Sequence, residues 1–156
     1  MTDTLLENMS KDLLLPKVML DYLIRSSPYR YKVYQIPKRS GSGMRTIAQP
    51  AREVKKLQYW VIKNIFPRMA IHPAATAYMT GKSIRDNCKA HANNAYLLKL
   101  DFKDFFPSIK GEDFSNYIRS NENIQIGDDE LQKLIKILFW CPKRQAPLQL
   151  SIGAPS

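Results

Sequence analysis

The chain has 156 residues, with 24 Lys and Arg against 14 Asp and Glu, giving a net charge of +10 and a pI near 9.7. That length suits one domain or a large piece of one, and 44% hydrophobic residues suffice for a core. No apolar run approaches the ~20 residues of a membrane span, and Met1 to Glu7 lacks the basic-then-apolar order of a secretory signal, so no membrane partner is expected. Cys88 and Cys141 lack CxxC spacing and only two His accompany them. The expectation is reduced thiols in a cytoplasmic protein rather than a structural zinc site.

In chain order, Lys11 to Arg25 reads as one amphipathic helix with Leu14, Val18, Tyr22 and Arg25 on successive turns and Pro16 near its first turn. Tyr29 to Ile36 alternates and is rich in Tyr and Val, as a strand does. Lys38 to Gly43 is a Gly/Ser turn, Met44 to Ala48 the returning strand, and Gln49-Pro50 its end. From Arg52 to Met69, Val54, Leu57, Val61, Ile65 and Met69 recur at helical spacing. Residues 70 to 81 read as loop, and Ser83 as the cap of a helix running to about Ala92. Ala95 to Leu100 reads as a buried strand. Phe114 to Arg119 is expected to form a short helix. Asp128 to Phe139 forms a longer one capped by Asp128 or Asp129, and Leu148 to Leu150 a short strand. Neither an internal repeat nor an interdomain linker is evident.

The charge is concentrated. Between Pro28 and Met69 lie ten basic residues (Arg30, Lys32, Lys38, Arg39, Arg45, Arg52, Lys55, Lys56, Lys63 and Arg68), opposed only by Glu53. With Tyr29, Tyr31, Tyr34, Tyr59 and Trp60 among them, this segment points to nucleic acid rather than to a merely solvated face. Lys38 and Arg45 flank the turn, where cations can fold over a triphosphate and Arg can grip it bidentately; contact with template phosphates alone is the other use. Thr80-Gly81-Lys82-Ser83 mimics the end of a phosphate-binding P-loop, but Thr76 stands where the first Gly belongs and no strand leads in, so that reading is rejected.

The most informative stretch is Tyr96 to Ile109. An apolar run delivers Asp101, and Asp104, Phe105, Phe106, Pro107 and Ser108 follow. An Asp after an apolar run commonly caps a turn. At a rigid strand end it also suits a hard cation such as Mg²⁺, which brings phosphates with it. The whole string resembles the first catalytic motif of reverse transcriptases, in the form seen in bacterial retron and group II intron enzymes. That resemblance covers about Tyr29 to Ser156. It implies an α+β, right-hand polymerase fold, with an N-terminal helical extension over 1–28, fingers over 29–94 and a partial palm over 95–156.

By the same resemblance, Asp101 and the Phe102 carbonyl would hold Mg²⁺, and Arg45, with Lys38 as its expected partner (Arg39 or Lys32 as substitutes), would bind the triphosphate. Phe106 would be the steric gate that excludes a 2′-hydroxyl, with Phe105 in the core. Tyr78 to Ile84, Asn87 and His91 look like the second block, which helps hold template and nucleotide. Leu150 to Ser156 resembles the block Leu-Pro-Gln-Gly-Ala-Pro-x-Ser, with Ile152 and Gly153 beside the nucleotide; Ser151 replaces the Pro, and Ile152 the Gln that reaches the sugar. Arg30, Lys32, Arg39, Arg52, Lys55, Lys56 and Lys63 are the expected nucleic-acid contacts.

The family's Tyr-x-Asp-Asp carboxylates do not occur here, and Asp128-Asp129 reads as a helix cap, so the chain reads as a fragment or half of a split protein. The parent is expected to synthesise DNA from deoxynucleotide triphosphates on a structured non-coding RNA with Mg²⁺, in anti-phage defence beside an effector protein. A non-catalytic RNA-binding protein is the alternative.

Overall fold

Thr4 starts the first helix with a reciprocal cap: its hydroxyl accepts the Glu7 N–H at 3.3 Å, and the Glu7 carboxylate accepts the Thr4 N–H at 3.0 Å. Lys17 donates to the same carboxylate at 2.8 Å, and that bond is the main reason the Glu7 pKa is held down to about 2. The computed structural model describes residues 4–38, 41, 43–77, 79, 81–122, 124–143 and 146–153. Its elements are α1 (Leu5–Leu13), α2 (Lys17–Ser26), β1 (Tyr31–Pro37), β2 (Met44–Pro50), α3 (Arg52–Asn64), α4 (Ile84–Lys89), α5 (Phe105–Ser108), α6 (Gly111–Ser120) and α7 (Asp128–Leu138). Short 3-10 turns follow α2 at Ser27–Tyr29 and α3 at Phe66–Arg68. The mixture of helix and strand agrees with the α+β expectation.

The core is helical. Leu131, Leu134, Ile135, Ile137 and Leu138 of α7 are buried against side chains that include Leu20 and Ile24 of α2, Leu57, Trp60 and Val61 of α3, and Ile118 of α6. Each such side chain contributes about 1.5–3 kcal/mol. Leu5 and Met9 of α1 join the cluster, and the Leu5 N–H donates to Glu130 Oε1 at 2.6 Å, tying the start of α1 to the first turn of α7. Gly111 opens α6 where there is no room for a side chain, since a Cβ there would stand 2.7 Å from Ile135 Cγ2.

The strands form one antiparallel hairpin, registered from Tyr31↔Pro50 to Pro37↔Met44. Positive φ at Gly41 (80°) and Gly43 (88°) makes the turn. At the root, the Ala51 N–H donates to the Arg30 carbonyl at 2.9 Å.

Several sequence expectations need correction. The single helix over Lys11–Arg25 is two helices, because Pro16 offers no N–H and restricts Leu15, and Leu14 adopts the left-handed conformation at φ 53°. The expected apolar stripe faces outward, with Leu14, Val18 and Tyr22 being 88%, 84% and 60% exposed. The helix from Arg52 ends at Asn64 and tightens into the turn carrying Pro67. Gly127, not Asp128 or Asp129, caps α7; those two carboxylates lie in its first turn, where they favour the positive helix end and pair with Arg119 and Lys133. Leu148–Leu150 is reduced to bridges from Gln149 to Lys110 and Trp140.

The largest departure concerns Ala95–Leu100. It forms no strand, and Tyr96, Leu97, Leu98 and Leu100 are 92%, 73%, 80% and 77% exposed. A strand needs neighbours for its N–H and C=O groups, and no described segment pairs with this one. From Ala70 to Phe106 no described residue is buried.

Gly111→Ala is expected to destabilise the fold by about 1–3 kcal/mol, because the β-branched Ile135 cannot move aside. A urea melt followed by far-ultraviolet circular dichroism, with the midpoint shifted down at constant slope, checks it.

Candidate nucleotide and nucleic-acid site

On the hairpin, cross-strand pairing puts Lys32, Tyr34 and Ile36 of β1 on one face with Gln49, Ile47 and Arg45 of β2. Arg45 pairs with Ile36 near the turn and is exposed, as are Lys32 and Lys38. The turn itself is held by the Lys38 N–H donating to the Gly43 carbonyl at 3.0 Å and the Gly41 N–H to the Lys38 carbonyl at 3.1 Å. Arg39, Tyr78 and Thr80 lie outside the described residues, as do Ala154 to Ser156.

The segment carrying Ile152 and Gly153 docks on this hairpin. The Ala48 N–H donates to the Ile152 carbonyl at 3.1 Å. At Gly153 φ is +123°, and a Cβ there would lie 3.2 Å from the Ala48 carbonyl oxygen and 3.3 Å from Ile47 Cγ2. Ile47 shares its face with Arg45, so the strand expected to bind triphosphate and the segment carrying Gly153 are neighbours. The residues before that block are anchored in turn. The Leu150 N–H donates to the Ile109 carbonyl at 2.9 Å, and Lys110 Nζ reaches Gln149 Oε1 at 3.1 Å. Ser151, which stands where the family block has Pro, is 2% exposed.

The hairpin root is fixed by Tyr31. Gln58 Nε2 donates to the Tyr31 hydroxyl at 2.9 Å and to the Ile137 carbonyl at 3.0 Å, joining β1, α3 and α7 through one buried amide. The Tyr31 ring lies 5.8 Å from that of Trp140. Loss of solvent pushes the Tyr31 phenol up to about 12, against the opposing pull of the Gln58 bond.

Asp101 lies in the exposed stretch. Among the described residues no hydrogen bond or ion pair ties it, so it is not a turn cap and its oxygens are open. Phe102, Phe105 and Phe106 form a run of ring contacts, with centroids 6.1 Å and 5.6 Å apart. Phe105 is 49% exposed, so its expected place in the core is not observed; α5 is a single turn with no buried residue. Asp104 starts that turn in the left-handed conformation at φ 52°, which Asp tolerates better than most residues.

The basic residues of α3 divide by face. Arg52, Lys56 and Lys63 are exposed along one side with Tyr59, whereas Lys55 is half-buried and Trp60 is buried. Arg30 is held locally: Nε donates to Ser26 Oγ at 2.9 Å and the guanidinium sits 5.6 Å from the centre of the Tyr22 ring. Ser83 caps α4 as its sequence predicts, through a reciprocal pair with Asp86, and the helix ends at Lys89 rather than near Ala92; Gly81 before it has φ +77°. Sequence reasoning missed Ala48, whose backbone receives the glycine block. Its one signal is a small residue at a position that alternation makes inward-facing.

The reverse transcriptase (RNA-dependent DNA polymerase) family matches residues 36–139, two thirds of the chain. The chain belongs to the reverse transcriptase family. It is 42% identical over 139 residues to the Retron Ec83 reverse transcriptase of Escherichia coli, covering 87% of this chain and 44% of the relative. It is 39% identical to the Retron Ec73 reverse transcriptase, covering 80% and 41%, and 32% identical to the Retron Ec86 reverse transcriptase, covering 97% and 45%; both are also from Escherichia coli. The chain thus spans less than half the length of these curated relatives.

Enzymes of this family generally use divalent metal ions. Among the described residues no group of three or more His, Cys, Asp or Glu side chains could hold one. Asp101 offers a single open carboxylate, which fits one ligand position and not a two-metal centre. No described helix is long and apolar enough to cross a membrane.

Replacing Gly153 with Ala introduces both an unfavourable φ and a close approach to Ala48. Amide hydrogen exchange at Ala48 should speed up, while core amides of α3 and α7 keep their protection.

Proposed function

We propose that this chain contributes the fingers and the first part of the palm to a retron-type RNA-directed DNA polymerase of right-hand fold. On this reading residues 1–28 form a helical extension, 29–94 the fingers and 95–156 the partial palm. The observation that carries it is the docking of Ile152 and Gly153 on the hairpin strand bearing Arg45, within a chain that matches the reverse transcriptase family over residues 36–139. This arrangement brings the 152–153 segment onto the same strand as an exposed Arg45, and an arginine beside exposed backbone suits a triphosphate site.

In the complete protein Arg45 and Lys38 clamp the triphosphate of an incoming deoxynucleotide. Phe106 lies under its sugar and excludes a 2′-hydroxyl. Asp101 and the Phe102 carbonyl supply ligands for Mg²⁺, which neutralises charge on the phosphoryl group when bound; the remaining carboxylates come from outside the described residues. Arg30, Lys32, Arg39, Arg52, Lys55, Lys56 and Lys63 face the polyanion. The template is a structured non-coding RNA, the product is its DNA copy, and the setting is cytoplasmic anti-phage defence beside an effector protein. Ile152 cannot make the sugar hydrogen bond of the usual Gln, so deoxynucleotide selection rests more heavily on Phe106.

A second reading is a non-catalytic RNA-binding protein. Among the described residues no cluster of three or more metal-ligating side chains surrounds Asp101, and Ile stands at position 152 where the resembled block has Gln; both favour it.

In primer extension by the complete protein, Asp101→Asn is expected to reduce synthesis to background while RNA affinity stays unchanged. Full synthesis by that variant would overturn the metal assignment, and an inactive unsubstituted protein that still binds RNA would support the second reading.

Phe106→Ala is expected to raise ribonucleotide incorporation relative to deoxynucleotide in the same assay. Unaltered sugar selectivity removes the gate.

A further inference from the structure

The outward side of α3 has a chemistry that the nucleotide site does not use. Arg52, Lys56, Tyr59 and Lys63 recur at intervals of four, three and four residues, so they line one stripe, and all four are exposed. Beside the stripe runs an open groove of about 530 Å³, lined by Asp12 and Leu13 at the end of α1 and by Lys56, Tyr59, Trp60, Lys63 and Asn64 of α3. Its floor is fixed: the buried Trp60 indole N–H donates to Asp12 Oδ2 at 2.7 Å, and Asn64 Nδ2 donates to the Trp60 carbonyl at 2.9 Å. Asp12 is therefore engaged with the indole. Among the described residues no carboxylate forms an ion pair with Lys56 or Lys63.

We propose that this groove is a seat for single-stranded RNA, in which Tyr59 stacks a base and Lys56 and Lys63 hold the phosphates on either side of it. The proposal rests on the polymerase reading and adds to it a site outside the hairpin and the Asp101 motif. Lys56 and Lys63 lie seven residues apart, about 10 Å along the helix axis, with Tyr59 between them. Tyr59 is 53% exposed even though α3 is otherwise well packed, so its ring stands clear of the core. A cation–aromatic–cation order on a rigid helix suits a flexible strand whose bases can turn out. A duplex hides those faces and would meet only the lysines. An acidic peptide would use the lysines equally, but acidic side chains bring no aromatic face to stack on Tyr59, whereas every nucleotide carries one.

The test is fluorescence anisotropy with a short labelled oligouridylate and, separately, an RNA duplex. Tyr59→Ala should weaken oligouridylate binding about tenfold, the worth of one stacked base, while Tyr59→Phe binds like the unsubstituted protein. The duplex should be indifferent to both changes. Lys56→Ala and Lys63→Ala should each reduce the salt dependence of single-strand binding by about 0.7 in the logarithmic slope. All three side chains are exposed, and unchanged circular dichroism confirms that the variants fold.

Equal oligouridylate affinity in Tyr59→Ala overturns the proposal. So does displacement of the oligouridylate by polyglutamate as readily as by unlabelled RNA, which would make the groove a seat for an acidic protein. Neither result touches the polymerase reading, which stands or falls on Asp101→Asn.

Discussion

Burial of the apolar face of α7 is the interaction on which the rest depends. That one helix meets α2, α3 and α6, so segments far apart in the sequence share a single core. The core also positions the hairpin. The Gln58 amide spans from Ile137 to Tyr31, and the Cys141 N–H donates to the Pro28 carbonyl at 2.9 Å, so the entry to β1 is pinned to the stretch that follows α7. A cation near the hairpin turn is thereby carried on a base that cannot tilt without breaking buried hydrogen bonds, each costly to leave unmade.

Two physical regimes meet in this chain. The helices at either end of the sequence satisfy their own backbone groups and need only an apolar face to pack. The stretch from Ala95 to Phe102 has apolar side chains in abundance but no strand partner among the described residues, so hydrophobicity alone does not make it a strand. The acidic residue most closely tied to chemistry by motif sits in the second regime, whereas Arg45 sits on a strand whose backbone groups are paired and the basic residues of α3 on a packed helix.

What the sequence showed follows the same division. The hairpin was legible because alternation and a Gly/Ser turn are local signals, and α3 and α7 were legible because their apolar residues keep helical spacing over three turns. The break between α1 and α2 was readable in Pro16 but was overridden by apparent periodicity through Leu14, Val18 and Tyr22, and that stripe proved to be the outer one. The buried face of Leu20 and Ile24 is short and competes with equally apolar neighbours, so pattern alone does not choose between them. For Ala95–Leu100 the reading of an apolar run as a buried strand took for granted neighbours that no described segment provides. At the site, Arg45 and Gly153 could be named from motifs, but the docking of the 152–153 segment on Ala48, three residues along the strand from Arg45, is a tertiary fact with no local signature. The stacking role inferred for Tyr59 likewise needed the α1 wall and the exposure of the ring.

The clasp between Ala48 and Ile152 runs from main chain to main chain. The bond uses the backbone of Ala48 and of Ile152, so the docking does not depend on the side chain at position 152. The side chain at position 152 can therefore change without loosening the loop that presents it. Gly153, one residue on, has no such latitude, and a lineage that altered it would have to rebuild the contact from the hairpin side.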